Sequence, residues 1–309
     1  MRKWILIAIL LLLAAFDLLT GDGIGWADEV ILWKLRFPRM LTAVIAGGSM
    51  AVCGTQMQAL FRNPLADPHI MGVSGGAGLG AAIAAIAVGG ASAFAGSLSL
   101  VSAAFIGALF SSVVILAAAS RVHSTGTLLL VGVMLGFALS AVSSVLQYSA
   151  GEESLKLFYS WMAGSFSAVP STGLAIMAFC FVLAYFLAFL NFKALDLILF
   201  GDEYASFSGV RLQGVRLSVI TGCALSTAAV TAFCGPIGFV GIAAPHLARR
   251  IFGTSIHRRV LPWSAVCGAC LALSADILSH IGPTPLPVGS TLALVGIPIV
   301  VVILWRNRL

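Results

Sequence analysis

The stretch RNPLADPHIMGVSGGAG, Arg62–Gly78, decides how the rest of the chain is read. It holds two prolines, four glycines, a carboxylate, a histidine and an arginine, and it lies directly between two long apolar runs. The chain around it has 309 residues, of which 60% are hydrophobic and only 9% charged. Backbone that cannot be regular helix is tolerated at membrane depth only where protein or water satisfies its polar groups. The insert is therefore expected to be a built feature of a transport path or a subunit contact. The distribution of basic residues puts Arg62 to His69 on the inner side, so its prolines and glycines read as a tight inner re-entry beside the subunit core and not as a substrate site.

Outward from this insert, apolar segments recur along the whole chain, and the mean hydropathy is +1.07. Ten are legible, over residues 4–19, 40–60, 72–91, 97–119, 126–147, 172–192, 217–234, 236–247, 261–279 and 288–305. Most reach the roughly 20 residues needed to cross ~30 Å of hydrocarbon. The fold class is thus an all-α polytopic membrane protein of about ten transmembrane helices, in one domain over 1–309. Segment 236–247 is short and is weakened by Pro236 and Gly238. The first segment follows Met1-Arg2-Lys3 and has no small-residue cleavage site before the acidic stretch Asp22 to Glu29. It reads as a retained helix and not as a signal peptide.

The net charge of +6 could point to nucleic acid, but its distribution argues against that. With ten spans and both termini inside, only Lys34, Arg36, Arg39 and Lys156 of the 17 basic residues fall outside. That bias is the positive-inside pattern of a multi-pass membrane protein, so the charge records orientation. The six cysteines lie in or beside apolar segments. Cys267-x-x-Cys270 puts two thiols on one helix face, yet no second Cys or His pair accompanies it, so packing explains it and no metal site is expected.

Several constellations invite chemistry. Gly72-Val73-Ser74-Gly75 resembles an intramembrane protease nucleophile, with His246 or His280 as a base. Read as GVSGGAGLGAA, the same residues are more simply a small-residue face for close helix packing. No HExxH and no GxxxxGK[ST] occurs, so nucleotide chemistry would have to come from another chain. Asp276, with His280 one turn on, could serve an ion-coupled secondary transporter. Because His280-Ile281-Gly282-Pro283 already leaves the span, a solvated or structurally paired carboxylate near the outer end is the expectation.

Two polar regions look like contact surfaces. At the outer rim, Lys34, Arg36 and Arg39 could pair with carboxylates of a soluble partner, or snorkel to anchor the second helix. At the inner side, residues 193–216 have the pattern of two short helices. Gly201 separates them, Asp202 can cap the second, Glu203 occupies its first turn and Gly209 can stop it. Leu199, Tyr204 and Phe207 are apolar knobs for a partner's groove or for the lipid headgroups. Ala66-Asp67-Pro68-His69 and Ala244-Pro245-His246 form a faint internal echo, too short to establish a repeat.

Taken together, several long blocks resemble one family, the permeases of binding-protein-dependent ABC importers for iron chelates, haem and vitamin B12. They are residues 36–78, GDEYASFSGV at 201–210, GPIGFVGIAAPHLARRIFG at 235–253, HRRVLPWSAVCGA at 257–269 and PVGSTLALVGIP at 287–298. Asn63, Pro64, Asp67, Pro68, Gly72, Gly75, Pro245 and His246 carry the structural signature. The resemblance implies a type II ABC importer permease working by alternating access on a metal chelate, with ferric siderophore foremost. It implies a second permease subunit, in a homo- or heterodimer, two cytoplasmic ATPase subunits that bind ATP and magnesium, and a periplasmic or lipid-anchored binding protein. No cofactor and no catalytic residue is implied in this chain.

The same resemblance makes Leu199, Gly201, Asp202, Glu203, Tyr204, Ala205, Phe207 and Gly209 the coupling segment for the ATPase. It makes Arg36 and Arg39 contacts for glutamates of the binding protein. His280 stands where relatives often carry an arginine, and Pro283-Thr284-Pro285-Leu286-Pro287 stands where a glutamate is usual. His280 is therefore expected to pair with a binding-protein carboxylate mainly when protonated.

Overall fold

Pro38 shapes the first decisive element. Lacking an N–H, it cannot bond the carbonyl four residues back, and the backbone just before it, Leu32–Arg36, widens into a π turn in which the Phe37 N–H reaches the Leu32 carbonyl. From there a regular helix runs to Leu60, so that one continuous helix, α2, spans Glu29–Leu60. The computed structural model describes residues 2–19, 29–87, 93–122, 124–167, 169–282 and 284–306. Asp22 and Asp28 of the expected outer stretch, Pro283 and the inner-end Arg308 lie outside them.

Before α2 comes α1 (Arg2–Leu19). After it come α3 (Val73–Ala87), α4 (Ala93–Arg121), α5 (Thr125–Tyr148), α6 (Glu152–Ala163) and α7 (Ser171–Leu190). Two short helices follow, α8 (Phe192–Ile198) and α9 (Asp202–Phe207). The chain then continues through α10 (Leu212–Cys234), α11 (Val240–Phe252), α12 (His257–Ser279) and α13 (Val288–Arg306). No strand occurs among the described residues. A helix falls on each of the ten expected apolar segments, although 236–239 precede α11 and 88–91 lie outside the described residues. Among those described, six helices are long and apolar enough to cross a membrane.

Those six fall into two groups. The apolar windows of α2, α10 and α12 are 89%, 72% and 72% buried within the chain, whereas those of α4, α5 and α7 are 33%, 22% and 28% buried. The first group forms the interior and the second turns large apolar side chains such as Phe137 and Phe179 outward. In water such a surface would be prohibitive, and in lipid it is the solvated face.

The interior is closed by backbone contact. A Cβ added to Gly268 of α12 would lie 2.2 Å from the Gly47 carbonyl oxygen of α2, and one on Gly54 of α2 would lie 2.0 Å from the Gly241 carbonyl oxygen of α11. Lipid tails are as apolar as leucine, so helix association must come from close packing, and only glycine permits this approach. Gly268→Val should therefore cost about 1–3 kcal/mol or more through overpacking. Gly214→Ala, in α10 with open space around its Cβ, should cost nothing. Thermal melting of the two variants in detergent checks the contrast.

Candidate functional site

Polar side chains gather at the two ends of the bundle, separated by the length of α12. At one end, α2 begins. Arg39 is 6% exposed there, its Nε 2.9 Å from the Asp276 carboxylate of α12. Its Nη2 donates to the Asp17 carbonyl of α1 at 2.9 Å and lies 3.6 Å from the Asp17 carboxylate. Both carboxylates are fully buried. His280 donates from Nδ1 to the Asp276 carbonyl at 2.9 Å and stands 3.6 Å from its carboxylate. Arg36, half-buried, donates to the Leu18 carbonyl at 3.2 Å, while Lys34 is exposed.

This geometry corrects the reading of the rim. Arg39 and His280 turn inward within the chain, towards the buried carboxylates of α1 and α12, and do not project from the rim as Lys34 does. Asp276 is structurally paired near the end of its helix, as expected, and that pairing occupies the group an ion-coupled carrier would need. Asp17 was missed by sequence reading, although a lone carboxylate near the end of an apolar helix was the available signal.

At the opposite end lie α8, α9 and the turn after α2. Gly201 takes a backbone φ of +120° and Gly209 one of +85°, so each bends the chain where other residues would strain. The expected cap is corrected. Gly201 occupies the N-cap position without a side-chain bond, and Asp202, the first helical residue, turns its carboxylate elsewhere. Arg216 of α10 donates to it at 2.7 Å, the Thr125 hydroxyl of α5 donates at 3.2 Å, and Arg62 lies 3.8 Å away. Arg216 also donates to Thr125 at 2.9 Å. One carboxylate thus ties α9 to α5, α10 and the end of α2.

The rest of the segment divides by exposure. Leu195, Ile198 and Ala205 are buried and fasten it to the bundle. Phe200 is 76% exposed and Phe207 92%, with Leu199, Glu203 and Tyr204 also outward. A cleft of about 580 Å³ opens beside α9, with Arg211 and Gln213 among its lining residues.

The insert that opens the sequence reading packs at this same end. Asp67 accepts from the His69 N–H at 2.9 Å, and Gly72 turns the chain at φ +73° into α3. The His69 ring donates from Nε2 to the Ile237 carbonyl at 2.7 Å, leaving Nδ1 to accept from Ser74. Ser74 therefore meets His69, and not His246 or His280. His246 donates to the Pro64 carbonyl at 2.9 Å, and the Asn63 side chain accepts from Leu65 at 2.9 Å. Each echo motif thus bonds the stretch that precedes the other, His69 to Ile237 ahead of α11 and His246 to Pro64 of the insert. Gln58 and Arg249 complete the contact at 2.7 Å.

Among the described residues, six membrane-length helices, three of them forming an interior closed by glycine contacts, define a polytopic membrane protein. The profile of the FecCD transport family matches residues 4–306, and the chain belongs to that family of ABC transporter permeases. Among curated relatives, the hemin transport system permease HmuU of Yersinia pestis is 34% identical over 281 residues, covering 90% of this chain and 84% of that protein. The vitamin B12 import system permease BtuC of Vibrio cholerae is 33% identical over 316 residues, covering 99% of this chain and 94% of that protein. A solved inward-facing ABC transporter chain assigned to the metal-chelate type superposes with a TM-score of 0.87 at 28% identity, covering 99% of this chain and 98% of the other.

Removing Arg39 alone would leave Asp17 and Asp276 buried without a guanidinium, so Arg39→Met should lower stability by roughly 3–5 kcal/mol. Adding Asp276→Leu should recover part of that loss. Thermal melts in nanodiscs measure both.

Proposed function

We propose that the chain is the permease subunit of an ATP-driven importer that carries a bulky metal chelate inward by alternating access. Ferric siderophore is the first cargo to test, with haem and cobalamin next. The names of the hemin and vitamin B12 relatives support that cargo class. In this reading about ten helices cross the cytoplasmic membrane, both termini are cytoplasmic, and a second permease subunit completes the pathway. The Asp202 end faces the cytoplasm and receives two ATPase subunits, which hold ATP and magnesium. The Arg39 end faces a substrate-binding protein, with Lys34 and Arg36 offering positive charge at the rim and Arg39 and His280 held behind them.

The observation that carries the proposal is the division within residues 193–216. Buried Leu195, Ile198 and Ala205 hold a segment whose Phe200, Tyr204 and Phe207 point away from the chain. Exposed aromatics on short, firmly anchored helices are what a docking surface needs, since such groups supply interface energy at low entropic cost. Asp202 then connects that surface to α5 and α10, so a push on α9 reaches membrane helices through hydrogen bonds.

Truncating an aromatic interface anchor costs about 2 kcal/mol or more, so Phe207→Ala should weaken ATPase association roughly 30-fold. Glu203→Lys should likewise cut transport, while both variants still insert into the membrane. Uptake at the wild-type level in both would remove the coupling assignment.

A further inference from the structure

The start of α12 is capped by another helix. Its own N-cap residue, Ile256, makes no side-chain cap bond. Instead Asp196 of α8 accepts from the His257 backbone N–H at 2.9 Å and from the His257 Nδ1 at 2.6 Å. The His257 side of the pair is buried at 1% exposure, while the Asp196 carboxylate is 29% exposed. A carboxylate at a helix N-terminus satisfies open N–H groups and the helix dipole together. Here it also ties α8, part of the outward-facing segment, to a membrane helix.

The far end of the same helix carries Asp276. Nineteen residues separate His257 from Asp276, which at 1.5 Å per residue is about 28 Å. Between them Gly268 lies against the Gly47 backbone of α2, an approach that no Cβ would allow. Arg39 stands between Asp276, at 2.9 Å, and the Asp17 carboxylate, at 3.6 Å. A small shift of α12 would change which carboxylate holds the guanidinium more closely, which is the kind of discrete alternative that long-range coupling requires.

We propose that α12 is a strut joining the α8 docking element to the Arg39 rim, with Asp196 and Asp276 as its two positioning residues. The inference rests on the importer reading for the identity of the partners. A displacement of α8 enters α12 through two hydrogen bonds, pivots at the glycine contact with α2 and arrives at the Arg39 pair. In reverse, a partner pressing on the rim is felt at α8.

The test reads each end from the other, in the complete transporter in nanodiscs. Asp196→Asn, at the ATPase end, should weaken the affinity for the binding protein at least about fivefold, the lower range of measured site-to-site coupling. Asp276→Asn should reduce binding-protein stimulation of ATP hydrolysis by a similar factor. The double variant should be no worse than the more damaging single one, because both cut one connection. Effects that multiply, or an unchanged affinity in Asp196→Asn, would overturn the strut.

Hydrogen exchange on the permease gives a second measurement that needs no partner. Asp276→Asn should raise exchange in peptides covering residues 192–200, and a change confined to the neighbourhood of residue 276 would also overturn it. His257→Leu, which keeps the backbone cap on Asp196, should lose only part of the long-range effect. A failure of the importer reading would appear separately, as wild-type permease that recruits no ATPase.

Discussion

The structure depends on the absence of side chains at a few points on α2. Gly47 and Gly54 let α12 and α11 come to backbone distance, and nearly every residue of α2 from Arg39 to Leu60 is buried as a result. In a membrane no hydrophobic force drives helices together, so this packing must hold the interior. Everything polar follows from it. Once α1, α2 and α12 are this close, Asp17 and Asp276 have no route to water, and Arg39 is the group at hand. At the other end α8 and α9 lie on the bundle through buried Leu195, Ile198 and Ala205 and leave Phe200, Tyr204 and Phe207 exposed.

The two ends are built on one principle. A carboxylate from one helix holds a cation or an N–H from another, and each such bond crosses between elements that would otherwise slide on apolar contacts. Asp202 fastens α9 to α5 and α10, and Asp196 fastens α8 to α12. Buried charge pairs contribute little net stability against a hydrophobic alternative. What they add here is specificity in which helices are joined: α9 to α5 and α10, and α8 to α12.

Much of this was legible in the sequence. The apolar segments fall on helices, and the glycines at 201 and 209 bracket a short helix as read. The insert at 62–78 is a tight turn into α3, as its prolines and glycines require. What stayed hidden was pairing between residues far apart in the chain. Arg36 and Arg39 sit three residues apart, only about 60° apart around a helix, and nothing local says that Arg39 alone turns inward. Asp202 looked like a cap because short-range rules favour one, yet Arg216, fourteen residues on, takes its carboxylate. Asp17 and the Asp196–His257 bond are equally non-local, and only the folded arrangement of α1, α8 and α12 reveals them.

In the proposed function, this permease moves a chelate with energy from a separate ATPase docked at the Asp202 end. Uptake of labelled ferric siderophore, haem or cobalamin into proteoliposomes containing the permease, its ATPase and its binding protein tests that claim most directly. Accumulation of one of these chelates should require ATP on the Asp202 side and binding protein on the Arg39 side, and should stop when the ATPase is omitted. Accumulation driven by a proton gradient in liposomes holding the permease alone would make the chain an ion-coupled carrier instead.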